Sequence, residues 1–331
     1  MQYRQQAKSS HMSTVTIIGL FIGITFILPI LSTKEFISIP NSFQQLNTIF
    51  LSILIEAIPF VLIGVLIAGF IQIFITEEQI RAWIPKNKLF AVFMSCVVGA
   101  LFPACECGIV PIVRRLVEKG VPLYAGVGFL LTGPLINPIV IVSTYMAFGN
   151  DLKMALLRMG VGFIAALVIA FIISYLFTSN QLKSETHLPA SKEKRQPLFV
   201  SMNSMLKHSI DEFFDMSKYL IIGAFAAATL QTYVSAQSLL FFGDSIYHST
   251  IVMMALAYFL SLCSEADAFI GASFKNIFPT TSILAFLVYG PMIDLKNTIM
   301  LLSIFKARFV FMLFLLITSI VFLFVSLTSF I

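Results

Sequence analysis

The chain has 331 residues, of which 58% are hydrophobic and only 11% charged, against roughly 25% charged in an ordinary soluble domain. So little charge over so many long apolar runs excludes a soluble enzyme and indicates an all-α polytopic membrane protein. The formal charge of +5 does not point to nucleic acid, because the basic residues gather between apolar runs, as cytoplasmic loops do.

In chain order, residues 1–13 form a polar tail with Arg4 and Lys8, in which Met12 offers an alternative start. Residues 14–31 are apolar and lack a small-residue cleavage pattern, which predicts a retained extra N-terminal span. A first membrane repeat is expected over residues 45–178. It opens with a span from Thr48 to Ile75 carrying Glu56 and Pro59 near its start, where interfacial water would solvate the acid. A charged stretch with Arg81, Lys86 and Lys88 leads into the apolar run Phe90–Val113. Val121 to Phe148 is the next span, interrupted by Gly133-Pro134 and Asn137-Pro138, and Leu152 to Phe177 follows with Arg158 inside it. Residues 179–208 read as a basic cytoplasmic linker. Residues 209–331 form a second membrane repeat.

The halves echo one another. Asp215-Met-Ser-Lys-Tyr219-Leu-Ile-Ile-Gly223 answers Glu56-Ala-Ile-Pro-Phe60-Val-Leu-Ile-Gly64, and Leu262-Cys263-Ser264-Glu265-Ala266-Asp267 falls where Ala104-Cys105-Glu106-Cys107 returns. Pro279 to Gly290-Pro291-Met-Ile-Asp294 has the spacing of Pro122 to Gly133-Pro134-Leu-Ile-Asn137. If each cysteine segment enters and leaves on one face, Arg81 to Lys88, Arg114 to Lys119 and the linker are all cytoplasmic. Each repeat then crosses three times, so the halves are inverted. Such repeats, with broken helices meeting near the midplane, mark secondary transporters. Nine full spans with an external amino terminus is the rival layout, and it places Arg81, Lys86 and Lys88 outside.

The candidate chemistry lies at Pro103, Cys105, Glu106, Cys107 and Gly108. A charge at the bilayer centre costs at least ~2.5 kcal/mol, and irregular backbone there is tolerated only where it lines a cavity. On a regular helix Cys105 and Cys107 would face different sides; across a backbone opened by Pro103 and Gly108 they could jointly hold a soft metal or metalloid. The plain alternative is two small buried hydrophobes. Glu106 reads as a counter-ion or a proton carrier, with Arg158, Lys306 and Arg308 as candidate partners. In the second half Cys263, Glu265 and Asp267 take the same places, with Arg308 as their natural partner. Gly133-Pro134 and Gly290-Pro291 should break their helices and open a shared cavity lined by Asn137, Pro138 and Asp294. No cofactor is called for, and no nucleotide-binding loop is present.

The run Phe-Pro-Ala-Cys105-Glu-Cys107-Gly108-Ile-Val-Pro111, then Arg114, then Thr132-Gly133-Pro134-Leu-Ile-Asn137-Pro138, resembles a bacterial family of predicted permeases that includes the ArsP-type organoarsenical efflux permeases. The resemblance runs from about Gln45 onward. It implies a multi-pass permease of the bacterial inner membrane, export of trivalent organoarsenicals in ArsP-type members, and a substrate-handling role for Cys105 and Cys107. Some relatives travel with a second, smaller membrane subunit, so such a partner is expected here; a homo-oligomer is the alternative. A zinc-like metal is the alternative cargo. Two other classes stay open: a membrane thiol oxidoreductase, for which the one-residue spacing is unusual, and a passive channel or accessory subunit.

Overall fold

The computed structural model describes residues 41–85, 87–177, 179, 181–183, 198–233 and 245–328; the expected tail 1–13 and first span 14–31 lie outside them. The first half builds α1 (Asn41–Phe74), α2 (Glu77–Trp83), α3 (Lys88–Leu101), α4 (Glu106–Glu118), α5 (Leu123–Ile136), α6 (Pro138–Ala147) and α7 (Leu152–Leu176). The second builds α8 (Leu198–Tyr233), α9 (Ile246–Leu260), α10 (Ser264–Ser273), α11 (Thr280–Met292), α12 (Leu295–Ile304) and α13 (Ala307–Thr328). α8 begins at Leu198, inside the stretch expected to be linker, because nothing after Pro197 breaks a helix. Among the described residues six stretches are long and apolar enough to cross a membrane: α1, Leu123–Ala147, α7, Val200–Tyr233, Thr280–Ile304 and α13.

α3 has 14 residues and so reaches about 21 Å, short of a hydrocarbon core of ~30 Å. Its direction comes from the glycines of its neighbours. Gly128 of α5 lies against Ser95 and Cys96, and Thr132 against Gly99, so α3 runs parallel to α5. Gly126 lies against Val117 and Val113, and Gly133 against Ile109, so α4 runs antiparallel to α5. The chain therefore turns back at Phe102–Cys105 as a re-entrant hairpin. Its two ends meet again at the base, where Lys88, Val117 and Gly120 line one crevice.

The second half repeats this arrangement. Thr250 of α9 touches Ser282 of α11 and Ala257 lies beside Gly290, while Gly271 of α10 lies against Leu287 and Ile283, and Asp267 against Gly290. α9 is parallel to α11 and α10 antiparallel to it, with the tip at Ser261–Cys263. The halves are inverted relative to each other: Phe50 of α1 packs on Phe225 of α8 at 6.0 Å, while Val65 O accepts from Ser209 Oγ at 3.1 Å. The first helices of the two halves thus run antiparallel along their lengths.

Two features fix the first hairpin. At its base, Arg115 binds Glu212 of α8 at 2.8 Å and Glu118 at 2.6 Å, and Lys119 Nζ donates to the Gln72 and Ile75 carbonyls that end α1. Higher up, α4 and α1 approach through glycines: a Cβ on Gly64 would fall 2.2 Å from the Gly108 carbonyl oxygen. Backbone cannot move aside as a flexible side chain can. Gly64→Ala is expected to cost about 1–3 kcal/mol, as overpacking does, read as a lower melting temperature of the detergent-solubilised protein. An unchanged melting temperature would contradict this close approach.

The helix breaks lie three residues later than Gly133-Pro134 and Gly290-Pro291 suggested. Both Gly-Pro pairs stay inside α5 and α11. The interruption comes at Asn137, held extended by the proline that follows it, whose side chain accepts from Val140 N at 2.9 Å. In the second half Asp294 is extended and accepts from Asn297 N. A short polar side chain in the N-cap position stops one helix and starts the next.

Candidate functional site

The chemistry is built at the two hairpin tips. Phe102 precedes a proline and is extended, which ends α3; Cys105, also extended, is the N-cap residue of α4. Glu106 and Cys107 fall in the first turn of α4 and are buried. The Cys105 and Cys107 thiols face one another, which a regular helix through both would prevent. Gly108 does not open this backbone: it lies within α4 and serves the contact with α1. In the second hairpin, Ser261 ends α9 in the left-handed conformation at φ 47°, and Cys263 is the N-cap residue of α10. The two cysteines hold equivalent positions.

Lys296, in the first turn of α12, joins the tips. It is 4% exposed, and its Nζ lies 3.3 Å from Glu106 Oε1 and 3.6 Å from Asp294 Oδ2. It also donates to the Ser261 carbonyl at 3.2 Å, a carbonyl presented by the left-handed turn. One ammonium therefore holds the first tip, the second tip and the broken helix of the second half. Gly223 of α8 lets the backbone of α12 come close at this point.

A second buried cation, Arg158 of α7, holds the other side. It donates to Thr144 Oγ1 at 2.7 Å and to the Ser264 carbonyl at 3.1 Å, and it stands within electrostatic range of Asp267 and Glu265. Asp267 is 1% exposed, and neither of its oxygens has a hydrogen-bond donor; Glu106 Oε2 and Ser264 Oγ share this state. Buried polar atoms are seldom left so.

Several expectations need correction. Arg308 is exposed at the start of α13 and does not serve Glu265 or Asp267, because Arg158 reaches between the repeats to that position. Lys306 is also exposed, and Glu106 is held by Lys296 instead. Glu56 is not at a span end. α1 starts at Asn41, so Glu56 lies mid-helix, and the Cys263 thiol faces it. Pro103 and Pro138 are exposed, whereas Gly133, Pro134, Gly290 and Pro291 are buried in α5 and α11. Lys296, Ser261, Thr144 and Ser264 were missed. Lys296 had a signal, a lysine two residues beyond Asp294 in an apolar run; the others are small polar residues without one. Among the described residues no three His, Cys, Asp or Glu side chains gather closely enough to hold a metal ion, so Cys105 and Cys107 stand as a pair.

A family profile described as "Predicted permease" matches residues 42–330. The chain belongs to this predicted-permease family. It is 53% identical to the UPF0718 protein YcgR of Bacillus subtilis, over 82% of this chain and 93% of that protein. It is 41% identical, over 82% and 91%, to a Streptococcus mutans protein named a putative two-component membrane permease complex subunit. A UPF0718 protein of Methanocaldococcus jannaschii, MJ0584, is 26% identical over 47% of this chain and 43% of its own length. No solved structure matches. Family and helices together make this permease a multi-pass protein of a bacterial cell membrane.

Proposed function

We propose that this permease is a secondary transporter of two inverted repeats that exports a soft, thiol-seeking solute, a trivalent organoarsenical or a zinc-like metal. The observation that carries the reading is the convergence of both cysteine-bearing tips on Lys296, through Glu106 on one side and the Ser261 carbonyl on the other. Cys105 and Cys107 are the ligands, since two adjacent soft sulfurs suit such cargo. Glu106 is the coupling group: a proton on its carboxylate would release Lys296, and a bound solute would compete for the same charge. Asn137, Asp294, Glu265 and Asp267 supply the polar side chains of this region, beside the two helix breaks. The name of the Streptococcus mutans relative supports a second membrane subunit as partner.

The test is accumulation of methylated and aromatic trivalent arsenicals, arsenite, antimonite, zinc and copper in cells. Wild-type protein is expected to lower the accumulation of a soft solute, and Cys105→Ser/Cys107→Ser to abolish that effect. If neither protein changes the accumulation of any of them, the reading falls. Redox cycling of Cys105 with Cys107 during turnover would favour the oxidoreductase instead.

A further inference from the structure

Glu56 is an exposed carboxylate in the middle of α1, a 34-residue helix whose neighbouring positions are almost all apolar. A charge at that depth is costly unless it faces water or a partner charge. It faces the second hairpin tip, where the partly exposed Cys263 thiol meets it, and the same thiol lies within electrostatic range of Glu106. Glu106 is 2% exposed and its Oε2 has no donor. An accessible thiol–carboxylate pair therefore stands next to a buried carboxylate with an open acceptor and two further thiols.

Acid groups outnumber basic ones around this path: among the described residues, five carboxyl groups (Glu56, Glu106, Glu265, Asp267 and Asp294) face two bases, Arg158 and Lys296. A neutral trivalent arsenical needs sulfur and makes no use of carboxylates. A thiophilic divalent cation uses both.

Resting on the soft-solute reading above, we infer that Glu56 and Cys263 form an outer ligand pair for a thiophilic divalent cation, one step from the inner pair Cys105 and Cys107. Each thiol gives up its proton to water as it binds the metal. Stations of two protein ligands, with water completing the shell, suit transit: a conducted ion must bind well enough to enter and weakly enough to leave.

The experiment uses the full chain in detergent with two probes, Cd²⁺ and phenylarsine oxide. Affinity is read by equilibrium dialysis, and sulfur ligation of Cd²⁺ by its ultraviolet thiolate charge-transfer band. Glu56→Gln is expected to weaken Cd²⁺ at least about tenfold, as loss of a group supporting a metal site does, and to leave phenylarsine oxide binding unchanged. Glu56→Asp should retain most of the Cd²⁺ affinity, which separates lost charge from lost fold. Cys263→Ser should reduce the charge-transfer intensity. Unchanged Cd²⁺ affinity in Glu56→Gln, or equal weakening of both probes, overturns the outer pair. If Cys105→Ser/Cys107→Ser then still abolishes binding, the soft-solute reading survives alone. Binding of neither probe to wild type would sink both.

Discussion

Replacing Lys296 with Met is expected to be among the most damaging single changes in this chain. The ammonium lies between Glu106, Asp294 and the Ser261 carbonyl, all buried. Removing one partner of a buried ion pair typically costs about 3–5 kcal/mol, because the other charge stays buried and uncompensated. Here two carboxylates would be stranded at once. Lys296→Met should therefore sharply lower the melting temperature in detergent and abolish transport. Lys296→Met/Glu106→Gln should recover part of the stability, since the second change removes one stranded charge, yet transport should stay lost if Glu106 is the coupling group. Full stability in the single variant would show that Lys296 does not tie the two tips together.

Arg158→Leu should have a comparable effect from the opposite side. The guanidinium lies within electrostatic range of Asp267 and Glu265, and it also holds Thr144 of the broken span and the backbone of α10 at Ser264. Its loss strands Asp267, which already lacks any hydrogen-bond donor, again at about 3–5 kcal/mol. Arg158→Lys should recover only part of this, because an ammonium cannot reach Thr144 and Ser264 in the fork geometry of a guanidinium. Melting temperatures of the three proteins side by side decide the matter. Equal values for Arg158→Lys and wild type would mean that charge alone suffices.

These two cations also show how the halves interlock. Lys296 belongs to the second half and serves Glu106 of the first; Arg158 belongs to the first and serves Asp267 of the second. Each tip is held by a base from the opposite repeat, so movement of one repeat against the other would act on these pairs directly. That coupling suits a protein whose two hairpin tips meet one ammonium, Lys296. At the other end, Arg115 and Glu212 bind the base of the first hairpin to α8, closing the level at which Lys119 caps α1.

The sequence by itself determined the class, the inverted repetition and the place of the cysteines. Apolar run length and charge distribution are one-dimensional properties, and helix breakers act on their immediate neighbours. The echo of Cys105 in Cys263 could be found by spacing alone, and so could the pairing of Asn137 with Asp294. Only the tertiary structure decided which base meets which acid. Arg158, Lys306 and Arg308 all lie in or near spans, and a residue number says nothing about which face of a helix meets which neighbour; Lys296 and Arg158 are chosen by packing between repeats more than a hundred residues apart. The same reason explains Gly108 and Glu56. Gly108 reads as a flexible joint until α1 is seen pressed against it, and Glu56 reads as a span-end acid until α1 proves to begin at Asn41 and Cys263 arrives from the opposite repeat.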